Sequence, residues 1–125
     1  MKFSRQSRLL KPEQFQSVFR HPIRSDDHYF RVLARENDDK LHRLGMAVSK
    51  RVCKRAVDRN RIKRVIRENF RKGIGNRQVE PRLDFVVMPK DRAINVDSIS
   101  LDNSLDSHWH RLIGIAGQRQ TRTQT

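Results

Sequence analysis

Eleven of the 23 residues from Lys50 to Lys72 are basic: Lys50, Arg51, Lys54, Arg55, Arg59, Arg61, Lys63, Arg64, Arg67, Arg71 and Lys72, against Asp58 and Glu68 alone. Such side chains are suited to holding phosphate, lysine as a point charge and arginine as a planar fork that grips two oxygens or stacks on a base. Read as a helix, the stretch repeats Arg59, Lys63, Arg67 and Arg71 at four-residue intervals with Arg64 beside them, so the cations form a band. Like charges at that spacing cost an isolated helix about 0.2–0.5 kcal/mol per pair, and a merely solvated helix face intersperses Glu with Lys. The unbalanced sign points to a polyanionic partner, and the preponderance of arginine makes structured RNA at least as good a candidate as duplex DNA.

Other chemistry is hard to assemble from this chain. His21, His28, His42, His108 and His110 show no zinc-ligand spacing, and His108 and His110, two apart, do not share a helix face. Cys53 is the single cysteine, lies in the basic run without a histidine-containing nucleophile pattern, and is expected to be an inert thiol. There is no phosphate-cradling glycine loop, nucleophile elbow or catalytic carboxylate pair, so no catalytic residue is expected. Glu36-Asn37-Asp38-Asp39 reads as a polar turn.

The whole chain agrees with the run. It has 125 residues, 28 Lys+Arg against 14 Asp+Glu, a net charge of +14 and 35% hydrophobic residues, enough for one small core under a cationic surface. Nine of those fourteen net charges fall between Lys50 and Lys72. A helical membrane span is excluded, because the longest apolar run is the four residues Phe85 to Met88. Met1 to Leu10 lacks the apolar core and cleavage site of a signal peptide, so a cytoplasmic location is expected.

The elements that must position these residues follow from periodicity. A first helix starts at Lys11-Pro12-Glu13, carries Phe15, Val18 and Phe19 on one face and ends at His21-Pro22. A strand over 29–35 follows, with Phe30, Val32 and Ala34 to one side, and a second near Leu44 to Ser49 is expected to pair with it as an antiparallel hairpin. Ala56 to Lys72 is a helix with Ile62, Val65, Ile66 and Phe70 as its stripe and Gly73 as its stop. Leu83 to Met88 reads as a central strand closed by Pro89. A last helix over 97–116 carries Leu105, Trp109, Leu112, Ile113 and Ala116, capped by Asp97 or Asp102. Residues 1–116 form one expected domain, and 117–125 an expected disordered basic tail.

The segment KRVCKRAVDRNRIKRVIRENF, from Lys50 to Phe70, resembles the signature of the bacterial ribonuclease P protein component. The match is carried by Ala56, Arg59-Asn60-Arg61, Ile62, Lys63-Arg64, Arg67, Glu68 and Phe70, and it extends to RLLKPEQFQSVF, LDFVVMPKDRA and the last helix. Cys53-Lys54-Arg55 depart from it, standing where many members have a glycine-containing turn.

The resemblance implies an α+β two-layer sandwich, ribosomal-protein-like, with a four-stranded sheet, about three helices and a left-handed β-α-β crossover. It also implies a subunit that assists a catalytic RNA in removing the 5′ leader of precursor transfer RNA, with hydrolysis performed by Mg²⁺ bound mainly to the RNA. Arg59, Asn60, Arg61, Lys63, Arg64 and Arg67, with Lys50, Arg51, Lys54, Arg55 and Arg71 beside them, would face RNA. A cleft between the first helix and the sheet would hold the single-stranded leader, with Phe15, Phe19 and Phe30 as aromatics and Lys11, Lys50 and Lys90 as phosphate contacts. Periodicity alone makes Phe15 and Phe19 ordinary core residues. Asp38 and Asp39 align with a loop where family members bind a divalent cation. No obligate protein partner and no membrane are implied. Two rivals share the charge: a structural RNA binder of ribosomal type, which needs no aromatic cleft, and a DNA-binding regulator, for which no half-site spacing device is visible.

Overall fold

The computed structural model describes residues 8, 11–37, 41–75 and 80–124, with side chains as far as Arg119. The elements in chain order are α1 (Pro12–Phe19), β1 (Ile23–Asp26), β2 (Phe30–Glu36), β3 (Arg43–Met46), α2 (Ala56–Phe70), β4 (Leu83–Pro89) and α3 (Ser98–Gln124). The four strands form one mixed sheet in the order β1-β2-β4-β3. β1 and β4 both run antiparallel to β2, while β3 runs parallel to β4, so β3, α2 and β4 make the crossover unit.

This topology corrects the expected hairpin. The strand after β2 does not pair with it; β4 lies between them, and the hairpin is instead β1–β2. β4 is buried on both faces at almost every position, and the centre of the sheet is where such a strand hides most apolar surface. β1 reads as a polar connection in the sequence, yet Ile23 and Ser25 point inward and Arg24 and Asp26 outward. Its turn is closed by Asp27, whose Oδ1 accepts the N–H groups of Tyr29 and Phe30, both at 2.9 Å.

The sheet has two unequal faces. Phe30, Val32, Ala34, Leu83, Phe85 and Val87 meet Ile62, Ile66 and Phe70 of α2 and Leu101, Leu105, Trp109 and Leu112 of α3 in the main core. Its centre is aromatic: Trp109 lies edge-on to Phe85 and Phe70, with ring centroids 5.1 and 5.7 Å away. On the other face, among the described residues, α1 packs through Val18 against Leu33 and Val86, with Phe15, Ala47 and Met88 partly buried around them. The α+β sandwich is thus present, with its second face only partly covered by the described residues.

Two helix ends differ from expectation. α2 stops at Phe70 and continues as a wide π turn over Arg71–Gly75, and no described glycine has the left-handed conformation expected of Gly73 as a stop. Gly75 takes the structural role instead: a Cβ there would stand 3.1 Å from the Phe70 carbonyl oxygen and 3.3 Å from its ring. α3 starts as expected at Asp97, which accepts the Ser100 N–H at 3.2 Å, but it runs to Gln124, so the segment from 117 expected to be disordered is helical.

Candidate nucleic-acid interface

The apolar stripe of α2 sets its outer face. With Ile62, Ile66, Asn69 and Phe70 turned inward, Asn60 and Arg64 are exposed and Lys63, Arg67 and Arg71 lie partly exposed beside them. None of these five makes a side-chain hydrogen bond or ion pair with another described residue, so the charges are uncommitted. Lys50, Arg51, Lys54 and Arg55 are exposed in the turn leading into the helix.

The two arginines that frame Asn60 behave differently. Arg59 donates from Nη1 to the carbonyls of Cys53 (3.0 Å) and Lys54 (2.8 Å), tying the helix to the turn before it. Arg61 donates from Nη2 to Val96 O at 2.7 Å and from Nη1 to Ile94 O at 3.5 Å, tying the helix to the loop before α3. Nothing in the sequence separates these framework arginines from their free neighbours; only helix phase against the packed stripe does. The turn itself needs no glycine. Cys53 N–H bonds Ser49 O at 2.9 Å, and the single positive φ at a described non-glycine residue is at His21, outside this turn. Cys53 is buried, and burial first, then Asp58, pushes its thiol pKa up, in keeping with an inert cysteine.

The expected cleft residues do not all come together. Phe15 and Phe19 share α1, Phe15 partly buried against the cluster of Val18, Leu33 and Val86 and Phe19 48% exposed. Phe30 is on the opposite face of the sheet, fully buried and edge-on to His108, so it borders no cleft: in β2 it shares a face with Val32 and Ala34, not with Leu33. Lys11 is exposed at the start of α1. Lys90, just past β4, already donates to Asp27 O at 2.7 Å and stands 3.5 Å from Asp26. It lines a cavity of about 550 Å³ with Arg51, His28 and Arg92 and with the acidic Asp27 and Asp91, residues drawn from the turn before α2, the β1–β2 turn and the loop after β4. Sequence patterning does not mark His28 and Arg92, because they converge only through the β1–β2 turn and the loop after β4.

Asp38 and Asp39 lie outside the described residues. Of their turn, Asn37 is committed inward, donating from Nδ2 to Asp84 Oδ1 (2.7 Å) and Leu41 O (3.2 Å), while Arg43 grips both oxygens of the buried Asp84 at 2.7 and 2.6 Å. Among the described residues no group of three or more His, Cys, Asp or Glu could hold a metal ion.

Two histidines are core residues. His42 Nδ1 accepts the Leu83 N–H at 3.0 Å. His108 has Nδ1 2.6 Å from Ser25 Oγ and Nε2 3.1 Å from Asp27 Oδ2, and Arg111 donates to the same Ser25 oxygen at 2.8 Å. Burial pushes the His108 pKa down against the pull of Asp27, so the imidazole is neutral near pH 7. Burial also pushes Asp27 up, but the Ser104 hydroxyl, the Phe30 and Tyr29 N–H groups and His108 outweigh it and hold its pKa at about 2. Ser25, Asp27 and His108 resemble a nucleophile–base–orienter set only in composition. Ser25 and His108 are 2% and 1% exposed, so no substrate reaches them, and the group instead bolts the β1–β2 turn to α3.

A mixed four-stranded sheet backed by two helices, one of which presents uncommitted cations, with a short aromatic-bearing helix on its other face, defines a small basic α+β protein built to hold nucleic acid. The chain matches the Ribonuclease P family over residues 3–113. It is 45% identical over 111 residues to the ribonuclease P protein component of Aliivibrio salmonicida, covering 88% of this chain and 92% of that one. Its fold is similar to a Staphylococcus aureus RNase P protein mutant with defective mRNA degradation activity (TM-score 0.73, 29% identity, 90% and 89% of the two chains). It is likewise similar to the RNase P protein from Thermotoga maritima (TM-score 0.65, 31% identity, 80% and 96%). The chain belongs to the ribonuclease P protein family, the protein component of the endoribonuclease of transfer RNA 5′ processing, and its partner is the ribonuclease P RNA. Among the described residues no helix is long and apolar enough to cross a membrane.

Proposed function

We propose that the protein divides its work between two surfaces. The outer face of α2, through Asn60, Lys63, Arg64, Arg67 and Arg71 with the cations of the preceding turn, grips the catalytic RNA in the cytoplasm. The α1 face grips the single-stranded 5′ leader of precursor transfer RNA, with Phe15 and Phe19 stacking on bases and Lys11, Lys50, Arg51 and Lys90 following the phosphates. The observation that carries this reading is the state of Phe15 and Phe19: a pair of aromatics, one half-buried and one half-exposed, on the sheet face that the other described residues cover little. Phe15 serves core and ligand together.

The protein contributes no acid, base or nucleophile. Mg²⁺, held mainly by RNA phosphates, supplies the activated water and charge stabilisation of phosphodiester hydrolysis. The chain's own residues bind, orient and screen: cations on both surfaces lower the repulsion between leader and catalytic RNA, which are both polyanions.

Reconstituted ribonucleoprotein with Phe15→Ala tests the leader surface. Loss of a stacked base is worth about 1–3 kcal/mol, so precursor binding should weaken by roughly 5- to 150-fold while mature transfer RNA binding holds. Equal losses for precursor and mature transfer RNA would mark a folding defect and remove the leader from this face.

A further inference from the structure

α1 has eight residues, fewer than the roughly 12–15 an isolated helix needs in water, and only Val18 anchors it fully against the sheet. Its last turn contains no basic side chain of its own, although the final carbonyls of a helix lack intrahelical partners and carry the negative end of its dipole. Arg35, two residues beyond Leu33 on the same face of β2, fills that place from outside. Its Nη1 donates to Ser17 O at 2.8 Å and to Arg20 O at 3.1 Å, two carbonyls that bracket Phe19. Immediately afterwards the chain turns through His21, at φ 50°, into β1.

We infer that Arg35 is a positioning residue for leader binding: its guanidinium clamps the C-terminal turn of α1 to β2, and so holds Phe15 and Phe19 at a fixed height over the sheet. The inference rests on the leader reading of that face. The clamp acts by keeping α1 docked, so its loss lowers apparent affinity by the fraction of time the aromatics are out of place. It makes no phosphate contact, and that separates it from the cations around it.

The test uses Arg35→Met, which keeps the aliphatic stem and removes the donors, and Arg35→Lys, which restores a cation, each reconstituted with the catalytic RNA. Arg35→Met should weaken binding of leader-bearing precursor by about three- to tenfold. It should leave mature transfer RNA binding and the slope of log affinity against log salt unchanged, and have no further effect once both Phe15 and Phe19 are replaced by Ala; Arg35→Lys should recover part of the loss. Amide hydrogen exchange of the free protein should speed up in α1 and stay unchanged in α2 and α3.

A slope reduced by about one unit would make Arg35 a phosphate contact and overturn the proposal. So would additivity with the Phe15→Ala, Phe19→Ala double variant, equal loss for mature transfer RNA, or unchanged exchange in α1. If α1 exchange rises while Phe15→Ala itself fails to separate precursor from mature transfer RNA, the clamp is present but the leader reading has failed, and leader positioning falls with it.

Discussion

At the residue scale the basic run divides into cations that are free and cations that are fixed. Arg64, Lys63 and Arg67 have no side-chain partner among the described residues, so each phosphate contact they make releases counterions. Neutralising any one of them to Gln should lower the log–log salt slope of RNA binding by about one, as read from filter-binding titrations. Arg61→Gln, which strands the Val96 and Ile94 carbonyls, should instead cost stability, about 1–3 kcal/mol in urea denaturation, with a smaller change of slope. The opposite ranking would place Arg61 on the RNA. Asp27 and His108 set a pH dependence. Asp27 has its folded pKa depressed to about 2, so the stability it contributes is complete above about pH 4 and is lost between pH 4 and 2. His108 is also depressed, so its neutral form is favoured by folding and stability falls as pH drops below about 6.5. Asp27→Asn should therefore be less stable at pH 7, with the gap to wild type closing as pH approaches 2 in a series of denaturation midpoints.

At the element scale, the glycines show where the backbone is tight. Gly75 ends the π turn against Phe70, and Gly75→Ala should destabilise by about 1–3 kcal/mol because the nearest obstacle is a backbone carbonyl that cannot move aside. Gly114 lies inside α3, and a methyl group added there would meet nothing within 4 Å, so Gly114→Ala should gain up to about 1 kcal/mol. Thermal melts of the two variants check both signs. The helices and the central strand are legible in the sequence because each has one dominant period: Phe15, Val18 and Phe19, then Ile62, Ile66 and Phe70, then the unbroken run Phe85 to Met88. β1 is not legible, since Ile23-Arg24-Ser25-Asp26 offers a single apolar residue, and its inward Ser25 is explained only by the bond to His108, 83 residues away.

For the whole molecule, a net charge of +14 on a small core predicts that anion binding is coupled to folding. Anything that binds the native form and not the unfolded chain stabilises it by mass action, about 2.7 kcal/mol at a hundredfold excess over Kd. The melting temperature should rise in sulfate or phosphate beyond what chloride gives at equal ionic strength; identical melts in all three would remove the coupling.

The residue types and their spacing were enough to determine a basic helix with an apolar stripe and the family of the chain, because charge, helix period and motif order are local properties of the chain. Strand order, the burial of Phe30, the commitment of Arg59 and Arg61 to carbonyls and the clamp of Arg35 on α1 were decided only by the tertiary structure. Each of these depends on which face of one element meets which face of another, and a shift of one residue in register or a fraction of a turn in helix phase would reverse it.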